Sequence, residues 1–146
     1  MLKGIPKILS PELLMVLSEM GHSDRLVISD GNFPAESMGK DAIVIRCDGH
    51  GVPELLDAIL QVFPLDTYVE HPVNLMEVMP GDDVETPIWD TYKEIIRRHD
   101  DRGDAAVGQI ERFAFYEEAK KVYAIIATGE SALYANIMLQ KGVVTD

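Results

Sequence analysis

His22 stands just beyond a stretch with helical spacing, and Asp30 follows it across one short apolar run, Leu26 to Ile28. A histidine past a helix C-terminus sits where the aligned peptide dipoles favour a positive charge, which suits it to proton donation near neutrality. Asp30 leaves the other end of the apolar run, and open α/β sheets bind ligands at the ends of their strands. Taken alone, the two residues serve equally as a helix-capping His and a turn-forming Asp. Later, Gly129-Glu130-Ser131-Ala132-Leu133-Tyr134-Ala135-Asn136 follows a second apolar run and delivers a Tyr and an Asn, both able to donate and to accept hydrogen bonds. A Tyr ring also offers an apolar face to the C–H side of a sugar.

Other reactive residues lack the company their chemistry requires. Cys47-Asp48-Gly49-His50-Gly51 has neither the Walker pattern nor its Lys, and reads best as a strand-to-helix turn. No His-x-x-x-His or Cys-x-x-Cys spacing occurs, so a metal site would have to be assembled from distant residues, and none is expected. Arg97, Arg98 and His99 close a helical stretch, where cations complement the dipole without further role.

The positioning elements announce themselves by their starts. Ser10-Pro11-Glu12 opens a helix, with Ser as N-cap and Pro where no amide bond is lost, and Leu13, Leu14, Val16, Leu17 and Met20 recur at helical spacing up to a stop at Gly21. Gly51-Val52-Pro53-Glu54 and Thr86-Pro87 open two more, each with one apolar face, and a fourth covers Arg112 to about Lys121, with Phe113 and Tyr116 on one face. Leu26–Ile28, Ala42–Ile45 and Tyr123–Ala127 are apolar without alternation, as strands buried on both faces are. Val73–Val78 is more mixed and reads as an edge strand, Ile137–Leu139 as a final strand. Pro80-Gly81-Asp82-Asp83 reads as a turn, and Asp100–Asp104 as a mobile polar loop. Strands and helices alternate, which implies a layered α/β domain.

The chain has 146 residues, 47% of them hydrophobic, enough for one domain spanning 1–146 with a real core. Its net charge of −12 disfavours nucleic acid and anionic membrane surfaces as partners and leaves neutral small molecules as natural ligands. A single cysteine, Cys47, excludes an internal disulfide, and no run approaches a signal peptide or a membrane span, so a cytoplasmic location is expected.

Several separated blocks then form a pattern: Gly21-His22-Ser23-Asp24, Ser29-Asp30-Gly31-Asn32-Phe33-Pro34, Arg112-Phe113-Ala114-Phe115-Tyr116-Glu117, Thr128-Gly129-Glu130 with Tyr134-Ala135-Asn136, and Lys141-Gly142-Val143. In this order they resemble the RbsD/FucU family of sugar mutarotases, over essentially the whole chain. Asn32-Phe33-Pro34 and the Arg112–Glu117 block are most similar to the L-fucose branch. The resemblance implies a three-layer α/β/α fold with a central mixed sheet. It also implies an isomerase that interconverts the α and β anomers of L-fucose or a related monosaccharide by acid–base ring opening, without cofactor. A ribose pyranase, and a non-catalytic sugar-binding or regulatory protein, are the alternatives.

Carried over by position, His22 becomes the proton donor, Tyr116 matches a tyrosine that some fucose-type members use in catalysis, Asp30 and Arg112 contact the sugar, and Tyr134, Ala135 and Asn136 line its pocket. The family further implies a ring-shaped homo-oligomer, commonly a decamer, with the pocket at a subunit interface. Ala135 stands where many fucose-type members have Gly, and its methyl is expected to narrow the pocket or shift the backbone. Gly31, where the family often has Ala, is expected to be harmless.

Overall fold

Ser10 starts the first helix as its type suggests: the side chain accepts the Leu13 amide at 3.1 Å. In the computed structural model, which describes residues 1–146, helix α1 covers Pro11–Glu19 and buries Leu13, Val16 and Leu17. The chain turns after Met20 through Ser23, which takes a left-handed φ of 71°, so the stop does not depend on a left-handed Gly21. Strand β1 (Arg25–Ser29), the short helix α2 (Ala35–Met38), strand β2 (Ile43–Cys47) and helix α3 (Val52–Leu60) follow. Next come β3 (Val73–Met76), α4 (Pro87–His99), a 3-10 turn at Gly103–Ala106, β4 (Val107–Ile110), α5 (Arg112–Ala119), β5 (Ala124–Thr128) and β6 (Ile137–Gln140).

The strands form one sheet in the order β2-β5-β1-β6-β3-β4. β2, β5 and β1 are mutually parallel, as are β3 and β4, while β6 runs antiparallel to β1 and to β3 between them. Five strands therefore end on the same edge of the sheet, where β6 begins. Period-two alternation sends Leu26 and Ile28 into a large core with α1, α3 and α4, and Val27 into a smaller one with α2 and α5. The outcome is the expected three layers around a mixed sheet.

Two strands differ from their sequence reading. β3 is not an edge strand, because β4, whose Val107-Gly108-Gln109-Ile110 carries little apolar signal, pairs outside it. β2 is itself an edge, with Ile43 exposed on it, although its composition resembles that of the buried β5. The polar stretch after α4 is pinned: Arg97 makes two bonds of 2.8 Å to Asp104, and Arg102 reaches back to Asp100 at 2.8 Å and to the carbonyls of Asp66 and Val69 at 3.1 and 3.3 Å.

Candidate active site

At the carboxyl edge, the ends of β1 and β3 and the starts of α5 and β6 surround an open cleft of about 330 Å³. Its lining includes Asp30, Asn32, Asp82, Arg112, Tyr116, Tyr134 and Asn136. Asp30, the residue after β1, is only 7% exposed; its amide donates to Asn136 Oδ1 at 2.8 Å and its Oδ1 accepts from the Asn32 amide at 3.0 Å. Burial pushes the Asp30 carboxyl above the usual carboxylate range, against the backbone N–H groups of Asn32, Phe33 and Ala135 that favour its charged form, and nearby Glu130 adds to the rise.

Arg112 is delivered by the start of α5, where Glu111 accepts the amides of Phe113 and Ala114 at 3.1 and 3.0 Å. Its guanidinium lies 5.9 Å from the Phe113 ring centroid and 5.7 Å from that of Tyr116, and donates to Met79 Sδ at 3.4 Å. Tyr116 stacks on Phe33 with centroids 5.6 Å apart. The Phe113 and Tyr116 rings thus both lie within reach of one cation beside the cleft.

Tyr134 takes a left-handed φ of 53°, a conformation that costs a non-glycine residue roughly 1–3 kcal/mol and persists only when its surroundings over-determine it. Its hydroxyl accepts the Met79 amide at 3.3 Å and donates to Asp82 Oδ2 at 2.5 Å, and that bond to Asp82 pushes the phenol above its usual range. With its proton committed to Asp82, Tyr134 offers ring and position rather than a base. Tyr116 meets Phe33 and the Arg112 guanidinium through its ring and lines the cleft.

Ala135 belongs to the site differently from expectation. Its side chain is fully buried and absent from the cleft lining, so the methyl does not narrow the cavity; its N–H supports Asp30 and its carbonyl accepts from Tyr92 at 2.7 Å. At Gly31, a methyl would sit 3.2 Å from the Glu130 carbonyl oxygen, a contact that a shift of a few tenths of an ångström relieves.

His22 is not among these residues. It precedes β1 whereas Asp30 follows it, and the five residues of β1, at about 3.3 Å each, separate the two edges by roughly 16 Å. At this far edge His22 Nε2 lies 3.0 Å from Asp66 Oδ1. Asp66 is 1% exposed and also accepts from the Tyr68 amide at 3.0 Å and from Gln140 Nε2 at 2.9 Å. Burial alone raises the Asp66 carboxyl, but the bonds from Tyr68, Gln140 and His22 outweigh it and hold the group below the usual range. An ionised Asp66 accepts from Nε2–H of the half-exposed His22 ring, which leaves Nδ1 as the nitrogen not engaged by Asp66. Asp66 and Asp82 carry no local signal: each looks like a loop Asp, and their partners lie 44 and 52 residues away.

The family model for the RbsD / FucU transport protein family matches residues 3–144, so both the cleft and the His22 edge fall inside it. The chain belongs to this family. Among RbsD / FucU relatives, it is 52% identical to a human fucose mutarotase, over 97% of this chain and 94% of that protein. The crystal structure of FucU from Bifidobacterium longum is 68% identical with a TM-score of 0.96, covering 98% of this chain and all of the other. A fucose mutarotase from Streptococcus pneumoniae, solved in complex with L-fucose, is 49% identical with a TM-score of 0.92, covering 99% of this chain and 100% of that one.

Proposed function

We propose that this protein is an L-fucose mutarotase. The observation that carries the reading is its full-length likeness, at 49% identity, to a protein solved with L-fucose bound, combined with a cleft whose Asp30, Arg112 and Asn136 suit the hydroxyls of a neutral sugar. Mutarotation opens a cyclic hemiacetal: the anomeric O–H loses its proton, the ring C–O bond breaks, and the ring oxygen gains a proton. Rotation about the C1–C2 bond turns the other face of the aldehyde to the hydroxyl, and the reverse transfers close the other anomer. One proton acceptor and one donor suffice, worth about a hundred to ten thousandfold together.

In this reading Asp30, Arg112 and Asn136 hold sugar hydroxyls, with Tyr134 and the Ala135 backbone shaping the cleft. Tyr116 and His22 exchange the two protons, His22 through Nδ1 while Asp66 holds Nε2. Because His22 lies on the opposite edge from its own cleft, the histidine for each cleft comes from a second copy. Two different faces meeting in this way form a ring where the rotation closes, in keeping with a decamer, and exposed Phe113 and Leu133 beside the cleft and Tyr68 beside His22 give both faces apolar surface to bury. A lone thiol, Cys47, fits a reducing cytoplasm.

Saturation-difference NMR on the anomeric protons of L-fucose, D-ribose and D-galactose tests the reading. The wild type accelerates exchange for L-fucose, and His22→Ala, which removes a half-exposed side chain, stays folded and loses at least about a hundredfold in rate. Acceleration of ribose alone makes the protein a pyranase. No acceleration of any sugar makes it a binding protein.

A further inference from the structure

We propose that Trp89 and Tyr92 are positioning residues for the sugar cleft: from one face of α4 they grip consecutive backbone carbonyls of the Tyr134–Ala135 turn and so set where Tyr134 and Asn136 meet the ligand. Trp89 Nε1–H donates to the Tyr134 carbonyl at 2.8 Å, and the Tyr92 hydroxyl donates to the Ala135 carbonyl at 2.7 Å. The two donors are three residues apart, on adjacent turns of the same helix face. Neither lines the cleft, so each acts through the turn it holds. The inference rests on the mutarotase reading.

The turn requires such a grip. Tyr134 is left-handed without being glycine, and β6, which starts at Ile137, cannot by itself hold a conformation three residues upstream. The Asp82 and Met79 bonds fasten only the far end of the Tyr134 side chain, while the backbone is fastened from beneath by α4. Downstream, Asn136 Oδ1 accepts the Asp30 amide, so a shift at Ala135 is passed directly to Asp30.

Tyr92 is completely buried among Leu, Ile and Val side chains, where a Phe would pack as well and would carry no hydroxyl to satisfy. Burial, helped by Glu130 and Asp30 nearby, pushes its phenol far above the usual range, so it remains a donor at every working pH.

Tyr92→Phe, Trp89→Phe and the double variant test the proposal, with folding and assembly checked by circular dichroism and sedimentation. Each single variant raises the KM for L-fucose about fivefold to tenfold with kcat within about twofold, as loss of one ligand-orienting hydrogen bond predicts, and the double variant raises it further. Amides of Tyr134, Ala135 and Asn136 exchange faster with deuterium in the variants, while those of Leu65 to Tyr68 at the opposite edge do not. Folded variants whose KM and amide exchange both match the wild type overturn the proposal. Should Tyr92→Phe fail to fold, Trp89→Phe decides alone, since the half-buried indole packs only at the margin of the core. A wild type that accelerates no sugar ends the mutarotase reading and this inference with it; an active wild type with insensitive variants ends only the inference.

Discussion

Two buried carboxylates, Asp30 and Asp66, show how environment assigns different work to the same side chain. Burial dominates at Asp30 and raises its pKa, so the folded chain holds that proton more tightly than the unfolded one. The associated stability is fully present below the unfolded pKa and is lost as pH rises through the folded one. At Asp66 the hydrogen bonds win and the folded pKa is depressed, so its contribution is present above the unfolded value and lost as pH falls through the folded one. Thermal unfolding from pH 3 to pH 7 therefore distinguishes the two. Asp30→Asn melts at or above the wild-type temperature at pH 7 yet loses at least about tenfold in activity, whereas Asp66→Asn is destabilised by about 1–3 kcal/mol at pH 7 and converges on the wild type in acid. Such a trade-off at Asp30 is expected of a residue kept for binding rather than for folding.

Among the elements, the segment from β5 to β6 is fastened to the β2–α3 loop at its start. The Gly129 amide donates to the His50 carbonyl at 3.0 Å, and a Cβ on Gly129 would overlap the Asp48 carbonyl oxygen. Glu130 then ties the same segment to α3, accepting the Val52 amide at 3.2 Å and the amides of Ser131 and Ala132 at 3.0 and 3.2 Å. Gly129→Ala must push the β2–α3 loop from the Tyr134 turn, which lowers stability by about 1–3 kcal/mol in denaturant titration and reduces L-fucose turnover with it. An unchanged midpoint would mean that the loop yields freely. The sequence showed both glycine-containing turns, but not that they lean on each other, since the contact joins residues far apart in the chain.

For the whole molecule, the proposed use of His22 by the cleft of a neighbouring copy makes assembly a condition for catalysis. Arg112→Ala disables the cleft of its own copy and leaves His22 intact, while His22→Ala does the reverse. Dissociated, mixed in equal amounts and reassembled, the two inactive variants recover about a quarter of wild-type activity, because random neighbours pair an intact cleft with an intact histidine at that frequency. Recovery no greater than the two variants alone would place each site within one chain. The net charge of −12 acts at this scale too, repelling polyanions while leaving neutral sugars indifferent.

Local chemistry determined a large part of this protein. Ser10 as a cap, the prolines that open α1, α3 and α4, and the apolar runs of β1 and β5 all act over a few residues, so they are legible in one dimension. The blocks around His22, Asp30, Arg112 and Tyr134 carry the family with them. Tertiary structure alone decided which strands lie at the edges, because the neighbours of β2 and β3 depend on pairing rather than composition. That His22 and Asp30 lie at opposite ends of β1 was already legible, since a strand is extended and the residues flanking it cannot be neighbours in space. Tertiary structure also decided that Asp66 meets His22 and that Trp89 and Tyr92 reach the Tyr134 turn, because each contact joins residues more than forty positions apart that only the packed fold brings together.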